Sequence, residues 1–402
     1  MYVSSSLSKE RPALKVGYFW VFFGFYALMG LVDASLGVSW NTLLLQHNLG
    51  SSQLAVALFM GTAAATPLFW WGGRWWGGRD PRPVLLVSIG LILLSSALAL
   101  FASSSAALLL AAFLVVPSVA LLELGASSSV LERGHAVGRV HSGFALGAVV
   151  GATLTGLLSS AGHLGGLSFA LVLLALPLAL GVLKLPRVAK KVPLGRARGP
   201  LSASPLLPII ASVAVMVAFA EGLMLSWSGL FFERELGLSA SESGTLSGLY
   251  YLAFGVGAFC SSSLLSRVSH RAALSLLAAL AALGGLTLAL SSSTPVAVAG
   301  LLLLGFSLAG MLPTLLEWGA RTLGLRAAGV IGTFAYAGML LEPLLATFLG
   351  EHLRLLFLGI PLLMTLATLA LSKPILERVL KPVRLGRSTY ALGEVTLNAA
   401  GD

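Results

Sequence analysis

The chain has 402 residues, of which 57% are hydrophobic and only 10% are charged, and its net charge is +10. A soluble domain carries about 25% charged residues. This chain therefore cannot cover a globule of its size with a solvated surface, and lipid must take that place. Its mean hydropathy of +0.94 agrees with a membrane protein.

The positive charge does not indicate a nucleic-acid partner. The Lys and Arg residues lie in short connections between apolar runs and form no continuous patch with aromatic residues. The single cysteine, Cys260, excludes an intramolecular disulfide and a site of several cysteines for a metal. No nucleophile and base stand out as a pair, so we predict neither an enzyme nor a metal or other cofactor.

Twelve apolar runs follow one another along the chain. Crossing a hydrocarbon core of about 30 Å takes roughly 20 apolar residues, and each run is close to that length. The runs are 16–40, 53–72, 83–102, 106–130, 140–160, 166–184, 205–231, 244–265, 272–291, 295–319, 328–349 and 353–372. We therefore predict an all-α membrane protein with twelve transmembrane helices.

The orientation follows from the basic residues, which accumulate on the cytoplasmic side of membrane proteins. Nearly all Lys and Arg residues lie in the two tails, in alternate connections and in the loop 185–204. Only Arg234 and Arg354 fall on the other side. The pattern predicts a multi-pass protein of a bacterial-type inner membrane, with both termini in the cytoplasm.

The loop 185–204 divides the chain into two halves. It is basic, and its prolines oppose a continuous helix. We predict a six-helix bundle over 1–184, a linker over 185–204, a second bundle over 205–372 and a cytoplasmic tail over 373–402. The motif at 121–126 (LLELGA) recurs at 315–320 (LLEWGA), and two further matches occur at similar offsets. Such a repeat indicates two parallel halves with a polar site at their interface.

Acidic residues inside the predicted spans are the main functional candidates. They are Asp33, Glu123, Glu221, Glu317 and Glu342, and no Lys or Arg lies clearly inside a span. Acids in a membrane are costly and usually functional. A carboxyl group that is neutral in one conformation and ionised in another is what proton coupling requires.

Asp33 and Glu123 are the strongest candidates for proton coupling, although a protonated carboxyl group can also simply join two helices. Three other acids are candidates for binding solute, each with a structural alternative. Glu317 can pair with Arg321 four residues later, and Glu342 can bond backbone groups that Pro343 leaves free. Glu221 lies near the depth of Asp33 in the other half.

The remaining candidates for solute binding are a histidine, a serine and four aromatic residues. His141 can carry a proton near neutral pH, or it can make an interfacial hydrogen bond. The aromatic rings can stack on a sugar, or they can serve in packing. The full set of candidates is Glu123, His141, Tyr26, Ser127, Trp227, Tyr251, Glu221, Glu317, Tyr336 and Glu342.

Several of these segments resemble the fucose:proton symporter branch of the major facilitator superfamily. The first predicted helix carries an acid in Gly30-Leu-Val-Asp33, the fourth reads LELGAS over 122–127, and the fifth reads HSGFALGAVV over 141–150. In that family, an aspartate in the first helix and a glutamate in the fourth serve sugar binding and proton coupling. The resemblance assigns these roles to Asp33 and Glu123, and places His141 at a polar cavity position.

The chain departs from that family at particular positions. Gly30 and Ser127 stand where the fucose symporter has asparagines, so the resemblance extends to the class of solute rather than to fucose. The loop signature of the superfamily is also degraded, since Trp75 occupies its aspartate position.

We therefore expect proton-coupled secondary transport of a sugar or similar small polar solute by alternating access. A proton-antiport exporter of drugs or metabolites is the alternative, and a sensor that does not transport is a third possibility. The expected partners are a small-molecule solute, protons and membrane lipid, and we expect a monomer.

Overall fold

The computed structural model describes residues 16–75, 80–132, 137–164, 166–185, 204–265, 268–323, 325–350 and 352–372. Within these ranges the chain is helical and contains no strand. The helices before the linker are α1 (Val16–Gln46), α2 (Ser51–Trp75), α3 (Arg82–Leu100), α4 (Ser105–Glu132), α5 (Val137–Ser160) and α6 (Gly166–Leu183). Those after it are α7 (Leu206–Leu236), α8 (Ala240–Leu265), α9 (His270–Ala289), α10 (Thr294–Leu308), α11 (Met311–Leu323), α12 (Leu325–Leu349), α13 (Leu353–Phe357) and α14 (Gly359–Ala370).

Two of the predicted spans are broken into two helices each. The run 295–319 forms α10 and α11, and the run 353–372 forms α13 and α14. Pro313 and Pro361 explain the breaks, because a proline clashes with the carbonyl group four residues before it. Those carbonyl groups belong to Ala309 and Phe357, at or beside the two breaks. The described helices thus fall into the twelve predicted runs.

The surface of the bundle is apolar. In the described part of the chain, nine spans are long and apolar enough to cross a membrane by length and composition. Large hydrophobic side chains project outward from many helices, and Phe259 and Phe348 are 79% and 76% exposed. A water-soluble monomer rarely exposes so much contiguous apolar surface. Lipid-facing helices account for it, since a helix satisfies its own backbone hydrogen bonds.

Hydrogen bonds between connections define the two ends of the bundle. At the first end, Arg82 donates to the carbonyl oxygen of Leu185 at 2.5 Å, next to the linker. At the other end, Ser105 donates to the carbonyl oxygen of His47 at 3.1 Å. We call these the linker side and the distal side. The predicted orientation makes the linker side cytoplasmic.

The N-terminal half (α1–α6) and the C-terminal half (α7–α14) meet mainly where α1 packs on α7, α5 on α8, and α2 on α12. Gly37 and Gly229 permit the first contact. A Cβ atom on Gly229 would lie 2.7 Å from the carbonyl oxygen of Gly37, so any side chain there would force the helices apart. This seam brings residues of both halves to the centre of the molecule.

Candidate functional site

Glu123 forms a hydrogen bond across the seam between the two halves. The hydroxyl group of Tyr336 in α12 donates to Glu123 Oε2 in α4 at 2.6 Å, although the two residues are 213 positions apart. A hydrogen bond to a charged carboxylate contributes more than one between neutral groups. The bond links two candidates, one from each half.

A second hydrogen bond lies one helical turn away from Glu123. The hydroxyl groups of Tyr26 in α1 and Ser127 in α4 are 2.6 Å apart. Ser127 follows Glu123 by four residues, so the two side chains share a face of α4. Tyr26 is fully buried. This face of α4 therefore presents a carboxyl group and a hydroxyl group toward α1 and α12.

Asp33 and Glu221 complete a group of three acids. Asp33 lies in α1 and Glu221 in α7, and both are close enough to Glu123 for their charges to interact. In the described ranges no Lys or Arg forms an ion pair with any of the three. We call Asp33, Glu123 and Glu221 the acid cluster.

Tyr251 brings an aromatic ring of the C-terminal half to the acid cluster. Its ring lies edge-on to that of Phe144 in α5, with centroids 6.2 Å apart. Its hydroxyl group is buried and has no hydrogen-bond partner in the described part of the chain. Asp33 is within electrostatic range of that hydroxyl group. A polar solute atom at this position would satisfy a buried donor that otherwise costs free energy.

Trp227 and Glu342 are paired with each other. The indole Nε1 of Trp227 donates to the carboxylate of Glu342, and both side chains are buried. Gly222 lies beside this pair, where a Cβ atom would meet Glu342 Oε2 at 3.1 Å. The contact joins α7 to α12 within the C-terminal half. Glu342 therefore accepts a hydrogen bond from the indole of Trp227. The sequence Glu342-Pro343 had suggested backbone groups as its partners instead.

Glu317 lies apart from the acid cluster. It forms an ion pair with Arg321 at 2.5 Å, and its side chain is 41% exposed. His270 Nε2 lies 3.8 Å from the same carboxylate oxygen. Of the two alternatives for Glu317, the structure shows the salt bridge. His141 lies in α5, but its side chain falls outside the described residues.

A polar network on the distal side was not predicted from sequence. Asn41 Nδ2 donates to Glu233 Oε2 at 2.6 Å, and Arg234 donates to Asn41 Oδ1 at 3.1 Å and to Ser51 Oγ at 2.8 Å. These bonds join α1 and α2 to α7. The available signal was that Arg234 is one of only two basic residues outside the predicted cytoplasmic regions.

The other such residue, Arg354, holds the distal end of the C-terminal half together. It bonds the carboxylate of Glu235 at 2.8 Å and the carbonyl oxygen of Ser291 at 2.9 Å.

Among the described residues, no group of three or more His, Cys, Asp or Glu residues is arranged to hold a metal. Carboxyl and phenol groups can exchange hydrogen bonds with hydroxyl groups, and the carboxyl groups can also take up protons.

A family model described as Major Facilitator Superfamily matches residues 14–341. The chain belongs to the Major Facilitator Superfamily. It is therefore a membrane transporter of this all-α fold rather than an enzyme, and the predicted superfamily is confirmed. Members of this family carry small-molecule solutes. No curated protein sequence matches the chain.

Solved structures show the same fold. A D-xylose-proton symporter is 13% identical with a TM-score of 0.70, and the match covers 89% of this chain and 97% of that one. The fucose:proton symporter of E. coli is 15% identical with a TM-score of 0.57, over 88% and 97%. A human organic anion transporter is 18% identical with a TM-score of 0.63, over 90% and 100%. At these identities the likeness concerns the fold alone.

Proposed function

We propose that the chain is a proton-coupled carrier for a sugar or similar small polar solute, with Asp33 and Glu123 as its coupling acids. The observation that carries the proposal is the bond between Tyr336 and Glu123 across the two halves, beside Asp33. A carboxyl group at such a seam changes its surroundings whenever the halves move. Its protonation is thereby linked to the conformation.

The donors and acceptors around the acid cluster support a hydroxylated solute. Tyr336 and Tyr26 already bond to partners that a solute hydroxyl group could replace, and Tyr251 has a hydroxyl group without a partner in the described ranges. Phenol rings also offer flat apolar faces to the C–H side of a sugar. Among the structural neighbours are a D-xylose-proton symporter and a fucose:proton symporter.

Alternating access gives the distal seam a role. In this conformation Gly37 packs against Gly229, and Asn41 bonds to Glu233 on the same seam. These contacts close the distal side between α1 and α7. A solute that enters from the distal side must separate these contacts. A solute that leaves on the linker side does so while these contacts are formed.

A second candidate is exchange of an organic cation for protons. The observation that favours it is that the acid cluster has no Lys or Arg ion-pair partner within the described residues. A cationic solute would supply the missing positive charge, and tyrosine rings attract cations. The two candidates differ in the sign of the pH effect, because acid on the distal side drives entry in symport and exit in antiport.

Purified protein in proteoliposomes tests both candidates. A thermal-shift screen of sugars, polyols and amines would select solutes, with D-xylose and fucose as the first probes. We expect distal acidification to drive accumulation of a sugar and a protonophore to abolish it. Accumulation of an amine that is driven by the opposite pH gradient, with acid on the linker side, would establish the second candidate. Uptake of a selected sugar that ignores the pH gradient would contradict proton coupling.

We propose that the distal side is the cell exterior and that both termini and the linker are cytoplasmic. In a chain carrying Cys260→Ser, a cysteine at Asn48 should react with an impermeant maleimide added to intact cells, whereas one at Arg196 should react only after lysis. The opposite pattern would reverse the orientation.

A further inference from the structure

A small cavity lies on the distal side of Asp33. Its volume is about 60 Å³, and side chains from α1, α2, α4 and α7 line it. The lining residues are Asp33, Leu36, Gly37, Trp40, Leu58, Val115, Val116, Leu225 and Ser226. The other two members of the acid cluster, Glu123 and Glu221, do not line it. Asp33 therefore stands between this cavity and the rest of the acid cluster.

The size of the cavity excludes a transported solute. Sites for small molecules occupy about 300–1,000 Å³, whereas 60 Å³ has room for only a few water molecules. A cavity holds water when it is polar enough to offer hydrogen-bond partners. Here the carboxyl group of Asp33 and the hydroxyl group of Ser226 provide them.

The lining also disfavours a metal cation. Hard cations such as Ca²⁺ need about six or more oxygen ligands. This cavity offers one carboxyl group and one side-chain hydroxyl group as oxygen ligands, and its remaining side chains are aliphatic apart from the indole of Trp40. Water and a mobile proton fit this set of groups, because each needs only a few hydrogen-bond partners.

A second carboxyl group lies further along the same seam. Asn41 follows the cavity-lining Gly37 by one helical turn, and Glu233 follows the cavity-lining Ser226 by two turns, or about 10 Å. Asn41 and Glu233 are hydrogen-bonded at 2.6 Å. The other carboxylate oxygen of Glu233, Oε1, is buried and has no partner in the described part of the chain. A buried carboxylate oxygen without a partner is a ready acceptor for a proton or a water molecule.

We infer that the cavity is a water site that passes protons between Glu233 and Asp33, on a route separate from that of the solute. A protonated Glu233 gives its proton to a water molecule at the seam. The cavity water then delivers a different proton to the carboxylate of Asp33, and Glu233 regains one from the distal solution. Each carboxyl group loses or gains one proton, and no water is consumed. This route rests on the proposed coupling role of Asp33.

The close packing of Gly37 and Gly229 makes the route selective. Their contact leaves no room for a side chain between α1 and α7, so a solute cannot follow. A proton needs only a transient chain of hydrogen bonds. Protons could then reach Asp33 while the distal seam stays closed to solute. The charged or titratable groups that face this route are Arg234 beside Glu233, and Glu123, Tyr251 and Tyr336 around Asp33.

The test uses hydrogen exchange at Asp33 and requires no solute. The carbonyl stretch of a protonated carboxyl group shifts in D₂O, and Asp33→Asn identifies the band that belongs to Asp33. Val116→Leu fills part of the cavity, Ser226→Ala removes its hydroxyl group, and Glu233→Gln removes the distal carboxyl group. Val119→Leu is the matched control, because Val119 lies on the same helix but does not line the cavity.

We expect exchange at Asp33 to be about tenfold slower, or more, in the three test variants and unchanged in Val119→Leu. Melting temperatures in detergent would show that each variant is folded, and Ser226→Ala is the mildest change. Wild-type exchange rates in all three test variants would overturn the route. Since no solute is used, a chain that fails to transport sugars would refute the proposed function but leave this measurement informative.

Discussion

Glu123 and Glu317 occupy the same position in the internal repeat, yet their surroundings differ. Each glutamate follows two leucines and is followed, after one intervening residue, by a glycine and an alanine. Glu123 bonds to Tyr336 of the opposite half, whereas Glu317 pairs with Arg321 of its own helix. The residue four positions later decides the difference, since it is Ser127 after Glu123 and Arg321 after Glu317.

This comparison shows how a repeat can be divided between function and structure. Arg321, one turn away in the same helix, holds the carboxylate of Glu317 in an ion pair at 2.5 Å, so that carboxylate is not available to bond to the other half. Ser127 carries no charge to pair with Glu123, so the carboxyl group of Glu123 is available to bond to Tyr336 of the other half. We therefore expect the first copy of the motif to carry proton coupling and the second to stabilise the end of a helix.

The sharpest way to break the comparison is to neutralise each glutamate in turn. Glu123→Gln should lower acid-driven sugar uptake by about 100-fold or more. The substitution removes a carboxyl group that is proposed both to bind the solute and to carry a proton. It should weaken sugar binding as well. Glu317→Gln should change uptake by no more than about twofold, since an exposed ion pair contributes little. Equal losses in the two variants would show that the copies do not differ in role.

Asp33→Asn should separate coupling from transport. Asparagine keeps the size of aspartate and much of its hydrogen bonding but cannot ionise. We expect pH-driven accumulation to disappear while sugar counterflow, which moves no net protons, stays within about tenfold of the wild type. Accumulation and counterflow would be measured in the same proteoliposome preparation. Persistent accumulation against the sugar gradient would show that Asp33 is not the coupling acid.

Two tyrosines allow a finer test of the face of α4 that carries Glu123 and Ser127. Tyr336→Phe removes a hydrogen bond to the carboxylate of Glu123, and Tyr26→Phe removes one to the hydroxyl group of Ser127. A bond to a charged group contributes about 1.5–3 kcal/mol and a neutral one about 1 kcal/mol. We expect sugar binding, measured by calorimetry, to weaken more in Tyr336→Phe. The reverse order would place the solute nearer Ser127.

The smallest effect is expected at Arg321. Its side chain is 68% exposed, so its pair with Glu317 should contribute less than about 1 kcal/mol to stability. Arg321→Ala should lower the melting temperature in detergent by only a few degrees and leave uptake nearly unchanged. A large loss of uptake in a folded Arg321→Ala protein would show that transport needs the ion pair between Glu317 and Arg321.

The candidate site was predicted in part. The acids Asp33, Glu123 and Glu221 were found from sequence because charged residues are rare in apolar runs and therefore stand out. Their proximity was not evident, since α1, α4 and α7 are far apart along the chain. Trp227 and Glu342 were assigned to solute binding, but the structure pairs them with each other, and that role in binding stays a prediction. Their bond could not be read from residues 115 positions apart.

The sequence by itself determined the membrane class, the helical runs and the superfamily, because hydropathy, helix length and short motifs are local properties of the chain. The breaks before Pro313 and Pro361 were not predicted, because Pro117 and Pro343 lie within continuous helices of the same protein. Only the tertiary structure decided which acids share a site, which glutamate has an arginine and where Asp33 meets a cavity. Those features arise where helices pack side by side, and the direction in which each helix turns its polar residues depends on all of its neighbours.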